Sequence, residues 1–205
     1  MSKFKLTKGE LKRQRDSLRQ FERYLPTLQL KKQQLQFEII QQLAILQEKR
    51  GLKQLKENAA LTWAGLLAEK NIEIKRFLRP KGIITDTKNI AGVDVLIFKS
   101  AEFEYAEYDL FIAPLWVDAA INELRAIVSL LKETATLENG IMILRQELHI
   151  TAQRVNLFEK IKIPEAQEAI RIIKIYIGDQ MANAVGRSKI AKRKIEERKL
   201  SLAAA

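Results

Sequence analysis

The chain has no cysteine and a single histidine, His149, in 205 residues. The missing cysteines exclude disulfides and thiolate-ligated metal sites, and they fit a reducing compartment. With one histidine and no thiol, no nucleophile–base pair is proposed. His149 falls between apolar positions of a helical pattern, where an ordinary surface role is expected. Only eight glycines and four prolines interrupt the chain, too few turns for a fold of many short elements. There is no glycine-rich phosphate loop of either common spacing. The longest run without charge, Asn58 to Ala68, is far short of the roughly 20 residues that cross a bilayer. The N-terminal lysines are not followed by an apolar core, so no signal peptide is expected. Aspartate and glutamate are interleaved with lysine and arginine, as on solvated helix faces. No catalytic carboxylate pair, cofactor site or metal site follows from such a pattern. A cytoplasmic, non-catalytic protein is the expectation.

What the chain does contain is periodicity. Apolar residues fall at Val117, Ile121, Leu124, Val128, Leu131 and Ala135, in steps of four and three. After a slip in phase around Thr136–Gly140 they resume at Ile141, Leu144, Leu148, Thr151, Val155 and Phe158. A 3.5-residue period is the stripe of a helix wound on a partner helix. Beyond Pro164, which should bend the helix, Ile163, Ala166, Ile170, Ile173 and Ile177 carry the seam on.

The partner is the N-terminal half. Thr7 with Glu10 reads as a capping box. From there Leu11, Leu18, Phe21, Leu25, Leu28, Leu35, Ile39, Leu43 and Leu46 repeat at three, four or seven. Lys12, Arg13, Arg15, Arg19, Arg23, Lys31 and Lys32 read as the opposite face. Pro26 should kink this helix. It is expected to continue to about Phe77, where Arg79-Pro80-Lys81-Gly82 stops it; at that length it would run roughly 100 Å. Between the helices, Ile83–Thr85 and Val93–Ile97 have strand texture about a turn at Lys88–Gly92, and a short β-hairpin is expected.

The fold class that results is mainly α: a long antiparallel two-helix coiled-coil hairpin with a short β-hairpin in its central region. Residues 1–78 form the N-terminal helix, 79–114 the β-hairpin and connections, and 115–205 the C-terminal helix with a basic end. Trp63 and Trp116 are expected to pack where the helices leave the hairpin.

The 36 Lys+Arg against 25 Asp+Glu give a net charge of +11, which implies an acidic partner. Both termini concentrate cations, the last stretch at Lys192, Arg193, Lys194 and Arg198. They are either solvated faces or electrostatic seats on an acidic surface. Nucleic acid is disfavoured because no stacking aromatics are interleaved with the basic ends, and a membrane-surface tether because the apolar stripes are narrow.

Arg154-Val155-Asn156-Leu157-Phe158-Glu159 followed by Ile163-Pro164 resembles the Arg-Val-Asn-Ala-Leu-Glu…Ile-Pro motif of the D subunit of the V/A-type rotary ATPases. Leu30–Leu35 and Ile90-Ala91-Gly92-Val93 resemble two further segments of that family, in the same order. Departures are the absent Gly-His near Tyr24-Leu25, the absent Arg-Asp at Lys32-Gln33, and Leu157-Phe158 in place of Ala-Leu, which mark a divergent bacterial branch. The resemblance implies a central rotor shaft that couples ATP hydrolysis or synthesis to proton or sodium transport. It implies three sets of partners: the catalytic and non-catalytic subunits of the hexamer, the small central-stalk F subunit, and a spool-like subunit above the membrane rotor ring. It also implies a peripheral position on the membrane with no span of its own. Contacts with partners are expected from Lys12, Arg13, Arg15, Arg19, Arg23, Arg154, Asn156, Lys192, Arg193, Lys194 and Arg198. The rival machine, a secretion or flagellar export ATPase stalk, is disfavoured by the β segment, which such stalks lack.

Overall fold

The computed structural model describes residues 5–68, 74–108 and 113–203. A single α-helix, α1, runs from Lys8 to Leu61, followed by a 3-10 turn at Ala64–Ala68 and a one-turn helix, α2, at Ile74–Phe77. Two strands, β1 (Pro80–Ile90) and β2 (Val93–Phe103), form an antiparallel hairpin. The return helix α3 spans Trp116–Leu157 and passes through a π turn at Phe158–Lys162 into α4, Ile163–Ala203. The expected mainly-α class, with paired antiparallel helices and a central hairpin, is the observed one.

Thr7 caps α1 by accepting the Glu10 amide on its hydroxyl at 3.3 Å. Glu10 does not reach back to complete the box; its carboxylate accepts Gln14 Nε2 at 2.8 Å. Pro26 sits inside α1 without interrupting it. The helix ends at Leu61, earlier than the expected Phe77, where Thr62 turns its hydroxyl onto the Ala59 carbonyl at 2.7 Å.

By contacts the chain divides into two units. In residues 30–152, α1 and α3 are antiparallel. Rising numbers on one meet falling numbers on the other in the ion pairs Lys31–Glu147 (2.7 Å), Lys49–Glu133 (2.8 Å) and Lys56–Glu123 (3.0 Å). In all three the cation is on α1 and the anion on α3. Lys31 is therefore at the seam's flank rather than on the opposite face. Leu35, Ile39 and Leu46 are buried from α1, and Val117, Ile121, Ile141 and Leu144 from α3.

The phase slip expected near Thr136–Gly140 is absent. The seam passes through Thr134, 6% exposed, and Leu137, while Leu131 and Ala135 are exposed. Thr134 Oγ1 donates to the Leu131 carbonyl at 3.0 Å, so its hydroxyl is satisfied within its own helix and a threonine can occupy an apolar position.

The hairpin is longer than expected, eleven residues in each strand. Its two-residue turn, Ala91-Gly92, has φ of 51° and 80°, the left-handed pair of a type I′ turn. Gly92 N–H donates to Asn89 Oδ1 at 3.0 Å and Asn89 Nδ2 to Asp94 Oδ1 at 2.7 Å. A lone two-stranded ribbon is marginal in water. Here its tip lies on the helices, with Ile90 and Val95 packed among Leu35, Ile39 and Leu144. The tip thus rests on the paired helices instead of standing beyond them.

In the other unit, residues 1–29 and 153–205, α1 packs with the end of α3 and with α4, where Val155 on α3 and Ala166, Ala169, Ile170 and Ile173 on α4 are all buried. The rings of Phe21 and Phe158 meet at 5.3 Å.

Candidate partner-binding surfaces

At the base of the hairpin a second apolar cluster joins Ile74, Val117 and Ile121 to Phe77, Tyr108, Trp116 and Leu124. Arg125 holds it together. Its Nε donates to the Phe77 carbonyl at 3.0 Å, its Nη2 to the Glu104 carbonyl, and its guanidinium lies 5.2 Å from the centre of the Phe103 ring. One side chain on α3 therefore ties down the end of α2 and the end of β2. Tyr108 donates to the Asp118 carboxylate in the first turn of α3. Trp116 packs in this cluster as expected, and Trp63 lines a groove with Leu55, Ala59 and Glu123.

Gly140 is buried, and a Cβ placed there would lie 2.7 Å from Val95 Cγ1. A mid-helix glycine costs about 1 kcal/mol against alanine. Here it makes room for the hairpin tip. Its signal in the sequence is an isolated glycine inside a helical pattern.

The Arg154–Pro164 motif folds as the end of α3, the π turn and the start of α4. Pro164 has no amide hydrogen, and its ring would press on the carbonyl four residues back. The Ile163 amide donates to the Phe158 carbonyl, five residues back, so one extra residue is taken into the turn. The seam consequently steps by five, from Phe158 to Ile163, and Ile161 is left 46% exposed. Val155 is buried between Arg154 and Asn156, which are both exposed.

The basic residues do not form one cluster. Lys12, Arg13, Arg15, Arg19 and Arg23 are exposed along the first turns of α1. A groove lined by Leu6, Thr7, Lys8, Ile177, Met181 and Ala184 marks where the start of α1 lies against α4. Lys192 is eight residues further on, roughly 12 Å along the helix. The terminal cations therefore do not sit side by side, as two helices ending level would place them. From 185 to 199 every residue of α4 is exposed. Along this overhang Lys192 pairs with Glu196 at 3.9 Å and Arg193 with Glu197 at 3.1 Å, within one helix. Such exposed i,i+4 pairs contribute only a few tenths of a kcal/mol each and leave the net positive charge in place.

Glu168 is held below the usual carboxylate range by the two hydrogen bonds from Arg171, and Arg171 is raised in turn. Among the described residues there is no grouping of three or more potential metal ligands, and no helix is long and apolar enough to cross a membrane.

The family model for the ATP synthase D subunit matches residues 10–193. The chain belongs to that family. Its relatives include the V-type ATP synthase D subunit of Borreliella burgdorferi, 46% identical over 194 residues, which are 94% of this chain and 95% of the relative. The Chlamydia pneumoniae protein of the same name is 32% identical over 205 residues, covering 95% and 94%. That of Chlamydia trachomatis serovar L2 is 29% identical over 200 residues, covering 97% and 98%. The family match runs through both units and the hairpin, so the motif at Arg154–Pro164, the hairpin turn and the seam all lie within it.

Proposed function

We propose that this chain is the central-stalk rotor shaft of a V/A-type rotary ATPase. It couples ATP hydrolysis or synthesis in a catalytic hexamer to ion transport through a membrane rotor ring. The observation that carries this reading is a D-subunit match along nearly the whole chain, on a fold of paired helices with an apolar seam. In this role the chain is a non-catalytic subunit, cytoplasmic and peripheral to the membrane. Its partners are the catalytic and non-catalytic subunits of the hexamer, the small central-stalk F subunit and a spool-like subunit above the rotor ring.

The physical chemistry suits the task. A shaft must resist twisting, and two helices locked by side chains at every turn of a seam resist twist together. It must also turn inside its bearing, where diffuse electrostatic contacts lose less on rotation than deep interlocking pockets. The overhang with Lys192, Arg193, Lys194 and Arg198, and the early face with Lys12, Arg13, Arg15, Arg19 and Arg23, supply such contacts. Arg154 and Asn156, presented beside the π turn, are a further contact point.

The test is charge reversal in the reconstituted complex. Lys192→Glu, Arg193→Glu and Lys194→Glu together should reduce coupled ion pumping several-fold while the purified chain keeps its helical content. Unchanged assembly and coupling would remove the electrostatic bearing from the account.

A further inference from the structure

Helix α1 is apolar on two sides. Seam residues Leu35, Ile39 and Leu46 are buried. Leu30, Phe37, Ile40, Leu52 and Leu55 are exposed, Phe37 at 62%, Ile40 at 65% and Leu55 at 68%. At about 100° per residue these five, with Ala44, lie roughly opposite the seam in a stripe of about 38 Å. With Glu48 counted in it, the stripe steps by seven, three, four, four, four and three, so it has the periodicity of a second helix-packing surface. Exposed apolar groups ordered in this way mark an interface.

The charges around the stripe define what fits it. In a chain of net +11, no lysine or arginine occurs from 33 to 48. Gln33, Gln34 and Gln41 flank the stripe there, and the cations further along, Lys49, Arg50, Lys53 and Lys56, are already paired with carboxylates of this chain, so the stripe offers little to an acidic surface. Within it stands Glu48, exposed and without a hydrogen-bond or ion-pair partner among the described residues. We propose that this face docks an amphipathic helix of a partner subunit, with apolar residues at three-to-four spacing and one lysine or arginine opposite Glu48. A second copy of this chain fits poorly. Parallel pairing through the stripe sets Glu48 against Glu48. Antiparallel pairing that puts Leu30 opposite Leu55 sets Glu48 against Phe37. Either way a carboxylate is desolvated without a counter-charge.

The proposal rests on the shaft reading only in taking the helix from another subunit of the same complex. A photo-cross-linking phenylalanine analogue at Ile40, and separately at Leu52, in the full chain within its purified native complex tests it. The expected result is two cross-links to one helical segment of another subunit, with a lysine or arginine between the linked positions. Glu48→Lys should then weaken that subunit's binding about tenfold, and reversing the charge of the partner residue should restore it. Cross-links to a second copy, to strand or loop segments, or to nothing overturn the proposal, as does full binding by Glu48→Lys. The subunit composition of the same preparation judges the shaft reading separately. If ATPase ring subunits are absent from it, that reading fails while the cross-links still decide the stripe.

Discussion

Gly140 provides a sharp test of how the hairpin and the helices depend on one another. In an unobstructed helix interior, glycine to alanine stabilises by about 1 kcal/mol. At this position the new methyl would stand 2.7 Å from Val95 Cγ1, where ordinary carbon contacts begin near 3.5 Å. Val95 is buried, β-branched and limited in χ1, so it cannot swing aside freely. Overpacking of this kind costs about 1–3 kcal/mol, which outweighs the helical gain and leaves Gly140→Ala destabilising by roughly 1 kcal/mol. Val95→Ala alone should cost roughly 1–3 kcal/mol through lost burial and a small void. In that background the obstruction is gone, and Gly140→Ala should stabilise by about 1 kcal/mol. The double-mutant cycle therefore has a coupling of about 2 kcal/mol. Urea unfolding of the purified chain followed by helical circular dichroism reads it, with hydrogen exchange at the Ile90 and Val95 amides reporting whether the tip lifts. If Gly140→Ala gives the same gain in both backgrounds, the glycine is not there to seat the hairpin.

Three other outcomes follow from the same structure. Deleting Ile161 together with Pro164→Ala removes the extra residue of the π turn and should keep stability within about 1 kcal/mol. A single alanine inserted after Ile143, where no π turn absorbs it, rotates the following seam by about 100° and should cost several kcal/mol; equal losses in the two variants would refute the phase argument. Arg125→Ala should loosen the hairpin base by about 2 kcal/mol because two carbonyls lose a charged donor, seen as faster exchange near Phe103 with the tip unaffected. Asp86 accepts a hydrogen bond from Lys99 at 2.8 Å and another from the Thr87 amide, and both hold its carboxyl below its ordinary value near 3.8. Its contribution is therefore fully present above the unfolded carboxylate's pKa and lost as pH falls through the lower folded value. An NMR titration should give a midpoint below 3.8 that rises in Lys99→Met.

The seam was legible because its signal is repeated at every turn. Each seam position read from Leu11 to Leu46, and each from Ile163 to Ile177, is buried or half-buried. The errors came where one residue type stands in for another. Thr134 does not register as a seam position because a hydroxyl reads as polar, although the carbonyl of Leu131 satisfies it locally. Ala135, the next residue, carries the apolar side chain, so the pattern drawn through it needs an apparent slip to recover the phase. The hairpin's existence is visible in its β-branched residues, but its extent is not, because Ser100–Phe103 pairs through backbone groups that no side-chain pattern reports. Arg125 could not be found from the sequence. Its acceptors are carbonyls of Phe77 and Glu104, and nothing in the identity of those residues announces them. The contact roles expected for Arg154, Asn156 and the basic ends belong to partners and leave no mark within a single chain.

The step of five at Phe158–Ile163 links sequence motif to mechanics. A shaft that carries torque through a seam must keep the same side of each helix facing its partner. Uncorrected, the 3.5-residue rule would bring Ile161 or Lys162 inward, and a lysine at the seam would have to bury its charge or part the helices. The π turn moves the inward position to Ile163 and leaves Lys162 exposed beside Glu165. Phe158 packs on Phe21 where the correction begins, so the turn is wedged by an aromatic pair. On this argument the Ile-Pro pair of the motif is a phase-setting device. A variant with Pro164→Ala alone keeps the extra residue and has no proline to hold it in a π turn. If it relaxes to uninterrupted α-helix, Ile163 rotates out and Lys162 rotates in. Loss of the Phe21–Phe158 contact in that variant is the outcome that connects the proline to the seam.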